Sequence, residues 1–124
     1  MATDAKRAMT QMIGMFSTGD IASASDTIAQ DYHDHQGIAG AEIRGVAGFC
    51  EVVRAARSPF ATLDAWAEDL IADRDRAAAR IRWRGVLPSG AAVERETIDF
   101  IRTASGRAVE HWGCQILSRE ITPN

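Results

Sequence analysis

A carboxylate between apolar side chains is the first feature of the sequence that could carry chemistry. Asp99 lies between Ile98 and Phe100 in the run TIDFI at positions 97–101. Alternate residues of a strand point to opposite faces, so Asp99 is expected to project away from its two apolar neighbours. A carboxylate withdrawn from water becomes a better proton acceptor near neutral pH, as a general base requires. The alternative is that Asp99 faces solvent or pairs with Arg95 or an arginine of the preceding strand.

His111 is the second candidate for a role in proton transfer. It shares strand parity with Gly113 and Gln115, so the three positions are expected to line one face of a strand. If Asp99 shares that face, the imidazole could orient the carboxylate or hydrogen-bond a substrate oxygen. The alternative is a half-buried histidine bonded to a backbone carbonyl.

A polar run, YHDH at positions 32–35, could in principle bind a metal ion. His33 and His35 form an H-x-H pair that Asp34 or His111 could complete. This spacing is common by chance and no fourth ligand is spaced to support it, so no metal site is predicted. Nothing in the sequence resembles a phosphate loop or a Ser-His-Asp order, so neither a cofactor nor acyl-enzyme chemistry is predicted.

Helical spacing of apolar residues marks the first half of the chain. It predicts one helix over Ala5–Phe16 and another over Gly45–Arg57, which Pro59 ends. Between them, Asp20 is placed to cap a further helix. That helix would carry one stripe of residues, namely Ile21, Ala24, Ser25, Ile28 and Tyr32. The segment 32–45, rich in glycine and histidine, is expected to be a loop or a short irregular strand.

The second half changes to the period of strands. Turn signals at 73–76, 88–90 and 105–106 separate four predicted strands, and such short connections indicate an antiparallel meander. The strands are Asp64–Asp73, Ala77–Leu87, Ala92–Thr103 and Arg107–Ser118. Helices followed by a meander predict a single α+β domain over residues 1–124, with the helices on one face of a curved sheet.

Composition excludes several classes of protein. The chain has 124 residues, 46% hydrophobic and 25% charged, which is typical of one globular domain. A net charge of −3 argues against a nucleic-acid partner. No apolar run approaches the roughly 18 residues that cross a bilayer, and no signal peptide is recognisable, so a cytoplasmic location is expected. Cys50 and Cys114 lack a CxxC spacing and are expected to be reduced, buried thiols.

The ordered set of motifs resembles the SnoaL-like polyketide cyclases. The matching segments cover nearly the whole chain: STGDIASASDTIAQDYHDH, RGVAGFCEVVRAA, AEDLIADRDRAAARIRWRG and ETIDFIRTASGRAVEHW. That family belongs to the nuclear-transport-factor-2-like superfamily, which also contains ketosteroid isomerases and limonene epoxide hydrolases. The resemblance implies a cone-shaped α+β barrel of the cystatin-like type, in which an antiparallel or mixed sheet curves around three N-terminal helices and leaves a pocket.

The resemblance also implies where the chemistry would lie. In the cyclases an aspartate two residues past the histidine of the EHW-like motif is the general acid/base, and this chain has Gly113 there. Asp99 is expected to replace it, with His111 and Asp34 as partners, since Asp34 matches a polar pocket position of the family. The side chains expected to contact the substrate are Tyr32, His35, Trp83, Trp112, Gln115 and, near the mouth, Arg44. Of these, Tyr32 continues the predicted helix stripe and could equally belong to the core.

These features leave two alternative functions open and predict a homodimer. The first function is a cofactor-independent cyclase, isomerase or hydrolase that moves protons on a small hydrophobic, polyketide-like substrate. The second is a non-catalytic module that binds a small molecule or a partner protein, which Gly113 favours. A homodimer is expected, because apolar residues also occupy the parity opposite Asp99. They are Ile98, Phe100, Trp112 and Cys114.

Overall fold

The computed structural model describes residues 2–38 and 41–121 as three helices and six strands. In chain order these are α1 (Ala2–Thr18), α2 (Ala24–Thr27), β1 (Ile28–Ile38), β2 (Ala41–Arg44), α3 (Gly45–Arg57), β3 (Thr62–Asp73), β4 (Arg76–Val86), β5 (Ala92–Ala104) and β6 (Arg107–Ile121). No helix within these residues combines the length and apolar character needed to cross a bilayer.

All six strands form one mixed sheet in the order β2-β1-β6-β5-β4-β3. The four strands of the second half make the predicted meander, in which every neighbouring pair is antiparallel. The parallel pair is β1 with β6, which joins the first half of the chain to the last strand. The α+β fold class is therefore confirmed, and the sheet is open because β2 and β3 lie at its two edges.

The hydrophobic core lies between the concave face of the sheet and the helices α1 and α3. Helix α1 packs mainly on β3 and β4, and α3 packs on β1 and β2. The largest fully buried side chains come from both layers: Met9, Ile28, Tyr32, Phe49, Val53 and Ile101. On β4, Ala79 and Ile81 face this core while Arg80, Arg82 and Arg84 face outward, as their alternation predicts.

The first half differs from its prediction between α1 and α3. The second helix is a single turn, and Ile28 and Tyr32 lie on strand β1. Asp20 does not cap that turn; its carboxylate accepts a hydrogen bond from the backbone N–H of Ala22. The segment 32–45, expected to be a loop or a short irregular strand, forms most of β1 and all of β2. Pairing with β6 stabilises this extended conformation, and a partner more than seventy residues away leaves no local signal.

The two cysteines occupy different environments. Both are free, Cys50 is buried in the core and Cys114 is exposed. The expectation of two buried thiols is wrong for Cys114, because this residue lies on the outward-facing parity of β6.

Candidate active site

A cavity of about 230 Å³ lies between the concave face of the sheet and the helices α1 and α3. Its wall is mostly apolar, with polar side chains on one side. The apolar lining includes Met9, Met12, Ile13, Phe16, Phe49, Val52, Phe60, Leu63, Ile81, Trp83 and Val93. The polar lining comprises Asp34, Gln36, Arg95, Thr97, Asp99, His111 and Gln115, together with the phenol of Tyr32. An apolar cleft with a few convergent polar groups is the usual form of a small-molecule site.

Three polar side chains of the cavity are hydrogen-bonded in a row. His111 Nδ1 lies 2.7 Å from Asp34 Oδ1, and His111 Nε2 lies 2.7 Å from Asp99 Oδ1. The strand order explains this arrangement, because β6 lies between β1 and β5. In the parallel ladder Asp34 pairs with His111, and in the antiparallel ladder Asp99 pairs with Gly113, two residues further along β6. One imidazole thus bridges two buried carboxylates.

Each carboxylate is also held from its other side. Asp34 Oδ1 accepts hydrogen bonds from the backbone N–H groups of Gln36 and Gly37, at 3.0 and 3.3 Å. The Thr97 hydroxyl donates to Asp99 Oδ2 and accepts a 2.9 Å hydrogen bond from the indole N–H of Trp83. Such a network fixes the orientation of the reactive groups before any ligand arrives.

The pKa values of these groups follow from burial and mutual contact. Burial alone would lower the pKa of His111, but its hydrogen bonds to Asp34 and Asp99 and their charges raise that pKa to about 9. Burial would raise the pKa of Asp34, yet His111 and the N–H groups of Gly37 and Gln36 hold it below its ordinary value. Burial first, and then the two carboxylates, raise the pKa of Tyr32, so its phenol stays protonated.

At neutral pH the bridging ring is therefore an imidazolium. Both of its nitrogens donate, one to each carboxylate, which is the geometry that two acceptors on either side of a ring impose. The lowered pKa of Asp34 keeps that carboxylate ionised beside the ring. Asp99 retains lone pairs beyond those engaged by His111 and Thr97, so it can still accept a proton.

Comparison with known proteins agrees with this architecture. The family model for SnoaL-like polyketide cyclases matches residues 6–115. The chain belongs to this family. No curated protein sequence matches it.

Solved structures share the same cone. A polyketide cyclase of provisional assignment from Bacillus cereus superposes with a TM-score of 0.82 at 20% identity, covering 93% of this chain and 76% of that one. IdmH from Streptomyces antibioticus, also provisionally assigned as a polyketide cyclase, gives 0.76 at 25% identity over 89% and 90% of the two chains. An LEH-like epoxide hydrolase of M. tuberculosis gives a TM-score of 0.74 at 13% identity, over 92% of this chain and 84% of that one. The fold is therefore the expected nuclear-transport-factor-2-like cone.

The packing around position 113 explains why this chain has glycine where the resemblance would place an aspartate. A Cβ atom at position 113 would lie 2.6 Å from Gln36 Oε1 and 2.7 Å from Asp99 Oδ1. These distances are too short for any side chain, so glycine is needed unless both neighbours move. The space into which the resemblance would direct a cyclase aspartate is filled by the carboxylate of Asp99 and the amide of Gln36.

Most of the residues proposed from sequence meet in the cavity. The structure brings together Asp99, His111 and Asp34, and it also places Tyr32, Trp83 and Gln115 on the wall. Asp34 and Asp99 are both buried, on opposite sides of His111.

Three expected substrate contacts lie outside the cavity. His35 follows Asp34 on β1 and therefore points to the outer face, where its ring stacks on Trp112 at a centroid distance of 4.8 Å. Trp112 has the same outward parity on β6, and 37% of its surface is exposed. Arg44, at the end of β2, is exposed, bonds Glu42 at 3.2 Å and lines a separate surface cleft.

Three polar residues of the cavity were missed. Thr97 and Arg95 lie two and four residues before Asp99 on β5, so strand parity alone would have placed them on its face. Gln36 has the same strand parity as Asp34, but parity was not applied to it because its segment was expected to be a loop or a short irregular strand. Among residues 2–38 and 41–121, no group of three or more His, Cys, Asp or Glu side chains is arranged to hold a metal ion.

Proposed function

We propose that this protein is a cofactor-independent enzyme that transfers protons on a small hydrophobic substrate, of the cyclase or isomerase type, with Asp99 as the general base. The observation that carries the proposal is the buried Asp99 carboxylate, which lines an apolar cavity and is held by His111 and Thr97. A fixed carboxylate in such surroundings is suited to removing a proton from a carbon acid.

Each neighbour of Asp99 has a distinct role in the proposed reaction. The His111 imidazolium orients the carboxylate, while Asp34 keeps that ring charged and aligned. When Asp99 takes a proton from carbon, negative charge develops on the substrate oxygen. The protonated phenol of Tyr32 lies on the same cavity wall, and by donating a hydrogen bond to that oxygen it would stabilise the negative charge.

A generic carbon acid tests the proposal without the natural substrate. β-Tetralone is a bicyclic ketone whose α-hydrogens exchange in deuterated water, and proton NMR follows the exchange. The wild-type protein should accelerate it above the buffer rate. Asp99→Asn keeps the shape but removes the proton acceptor, so the catalysed rate should fall by roughly two to four orders of magnitude.

The control is Asp64→Asn, which changes an exposed carboxylate of β3 in the same way. It should leave the rate of exchange unchanged. An Asp99→Asn protein that is folded and as fast as wild type would overturn the assignment of the base. The second candidate, a non-catalytic binding module, is favoured by Gly113. It predicts that the wild-type protein binds the ketone and does not accelerate exchange.

A further inference from the structure

Arg95 is a cationic side chain on the cavity wall that the proposed proton transfer does not use. It lies on the inner face of β5, where its backbone pairs with Trp83 of β4 and Ser118 of β6. Its Nε atom is buried and has no hydrogen-bond partner within the described part of the chain. A buried N–H without an acceptor is costly, and because this atom is closed to solvent a ligand would reach the guanidinium through its terminal nitrogens.

Ion pairing separates Arg95 from the arginines of the outer face. Arg80 pairs with Asp69 and Glu96, and Arg84 pairs with Glu94, at N–O distances of 2.7 to 2.9 Å. Arg95 makes no such ion pair with any residue in 2–38 or 41–121. The inner face therefore presents one guanidinium whose charge no neighbouring carboxylate neutralises, inside a cleft with apolar walls.

The guanidinium is held in place by an aromatic ring. Its central carbon lies 5.6 Å from the centroid of Phe60, within cation–π range. Phe60 can lie against the sheet because residue 85 is glycine: a Cβ there would be 2.4 Å from the ring. Gly85, Phe60 and Arg95 thus form a stack in which the planar donor group is oriented before a ligand binds.

We propose that Arg95 is an anion-binding subsite and that the substrate is a hydrophobic carboxylate. Arg95 and Asp99 are four residues apart on one strand face, a span of about 13 Å between their backbones. A ligand lying along β5 would place its reacting carbon at Asp99 and its carboxylate against the guanidinium. The placement of the substrate's reacting carbon at Asp99 rests on the proposed function, whereas the anion subsite is argued from the surroundings of Arg95 alone.

Two probes of nearly equal shape test the subsite by binding alone. para-Phenylbenzoate is an elongated hydrophobic anion, and para-phenylbenzamide is its neutral counterpart. Calorimetry near neutral pH should show that wild-type protein binds the carboxylate about 10- to 100-fold more tightly than the amide. Arg95→Gln should abolish that preference by weakening carboxylate binding, while amide binding changes less than about threefold.

Control variants separate this result from a general loss of charge or of structure. Arg84→Gln removes an outer-face arginine and should keep the preference. The proton-transfer test follows exchange of a neutral ketone and this test follows binding alone, so failure of the proposed proton transfer and failure of the anion subsite give different results. If Arg95→Gln does not fold, Arg95→Lys is used, and loss of the planar fork should weaken carboxylate binding by about 3- to 10-fold.

Three outcomes would overturn the proposal. One is equal affinity of the wild-type protein for the two probes, and another is a preference that survives in folded Arg95→Gln. The third is binding of neither probe to the wild-type protein.

Discussion

A charged histidine between two buried carboxylates is the residue-scale feature on which the site depends. Taking the imidazolium out of water is costly, and the charged ring is retained because both of its N–H groups donate to carboxylate oxygens at 2.7 Å. Removing His111 would leave two carboxylates facing each other without a cation, and removing either carboxylate would leave one ring N–H without its acceptor. The three side chains should therefore behave as a unit, so that the effects of single substitutions on stability are not additive.

The raised pKa of His111 predicts how stability depends on pH. In the unfolded chain the imidazole titrates near 6.5, and in the folded protein its pKa is about 9. The folded state binds the proton more tightly, so the stabilisation is complete below pH 6.5 and is lost as the pH rises through about 9. The free energy of unfolding should fall by up to about 3 kcal/mol across that window. Urea unfolding at a series of pH values measures it.

His111→Gln supplies the control for this titration. The variant has no proton to lose at position 111, so its stability should be lower at pH 6 and nearly flat across the same window. NMR should show a histidine resonance that titrates near pH 9 in the wild type and is missing from the variant. A wild-type protein with no slope between these pH values would contradict the predicted charge on His111.

At the scale of elements, the parallel pairing of β1 with β6 positions Asp34. Beyond Asp34 the chain turns sharply at Gly37, whose φ of 67° lies in the left-handed region. A Cβ at this position would lie only 1.9 Å from the carbonyl oxygen of Ala41. The turn also directs the N–H groups of Gln36 and Gly37 at Asp34, so the end of the strand and the site depend on one glycine.

Gly37→Ala should therefore affect both stability and the site. The left-handed strain and the backbone clash should together lower the free energy of unfolding by roughly 2–4 kcal/mol. Because Asp34 would lose its two N–H donors, the His111 titration should shift as well. Gly14→Ala is the matched control: nothing lies within 4 Å of its new Cβ on α1, so stability should rise by about 0.5–1 kcal/mol. Equal melting temperatures for Gly37→Ala and wild type would contradict this account of the turn.

At the scale of the whole molecule, the outer face of the sheet is apolar where β5 and β6 meet. Exposed side chains there include Ile98 at 38%, Trp112 at 37% and Leu117 at 40%. Contiguous exposed apolar surface on a sheet marks an interface. We propose that two copies of the chain cover this face by packing sheet on sheet, and light scattering at micromolar concentration should give the mass of a dimer.

A pair of isoleucine variants tests which face is covered. Ile98→Arg should produce a monomer, because it places a charge in the proposed interface. Ile71→Arg adds the same charge at a residue that is 72% exposed near the far end of β3, and it should leave the dimer intact. A monomeric wild-type protein would reject the interface, and a dimeric Ile98→Arg protein would place it elsewhere.

The sequence by itself determined the second half of the fold and part of the site. Four strands with alternating apolar residues, joined by short turns, pair with their neighbours in the chain. The order of these strands, and the alternation of side chains within each one, therefore follow from local sequence. Strand parity placed Asp99 opposite Ile98 and His111 opposite Trp112, whereas the register shift between Arg102 and Thr103 is what puts Asp99 and His111 on the same face. The positions of α1 and α3 also followed from apolar spacing and turn residues, which act within a few residues of chain.

Only the tertiary structure decided what lies on either side of those strands. Strand β1 exists because it pairs with β6, and a helical pattern of apolar residues at 21–32 concealed it. That pairing brings Asp34 to His111, turns His35 away from the cavity and places Gln36 beside Gly113. The unpaired charge of Arg95 is likewise visible only once its neighbours are known. Contacts between residues distant in the chain depend on how the layers pack, and one sequence carries no local record of them.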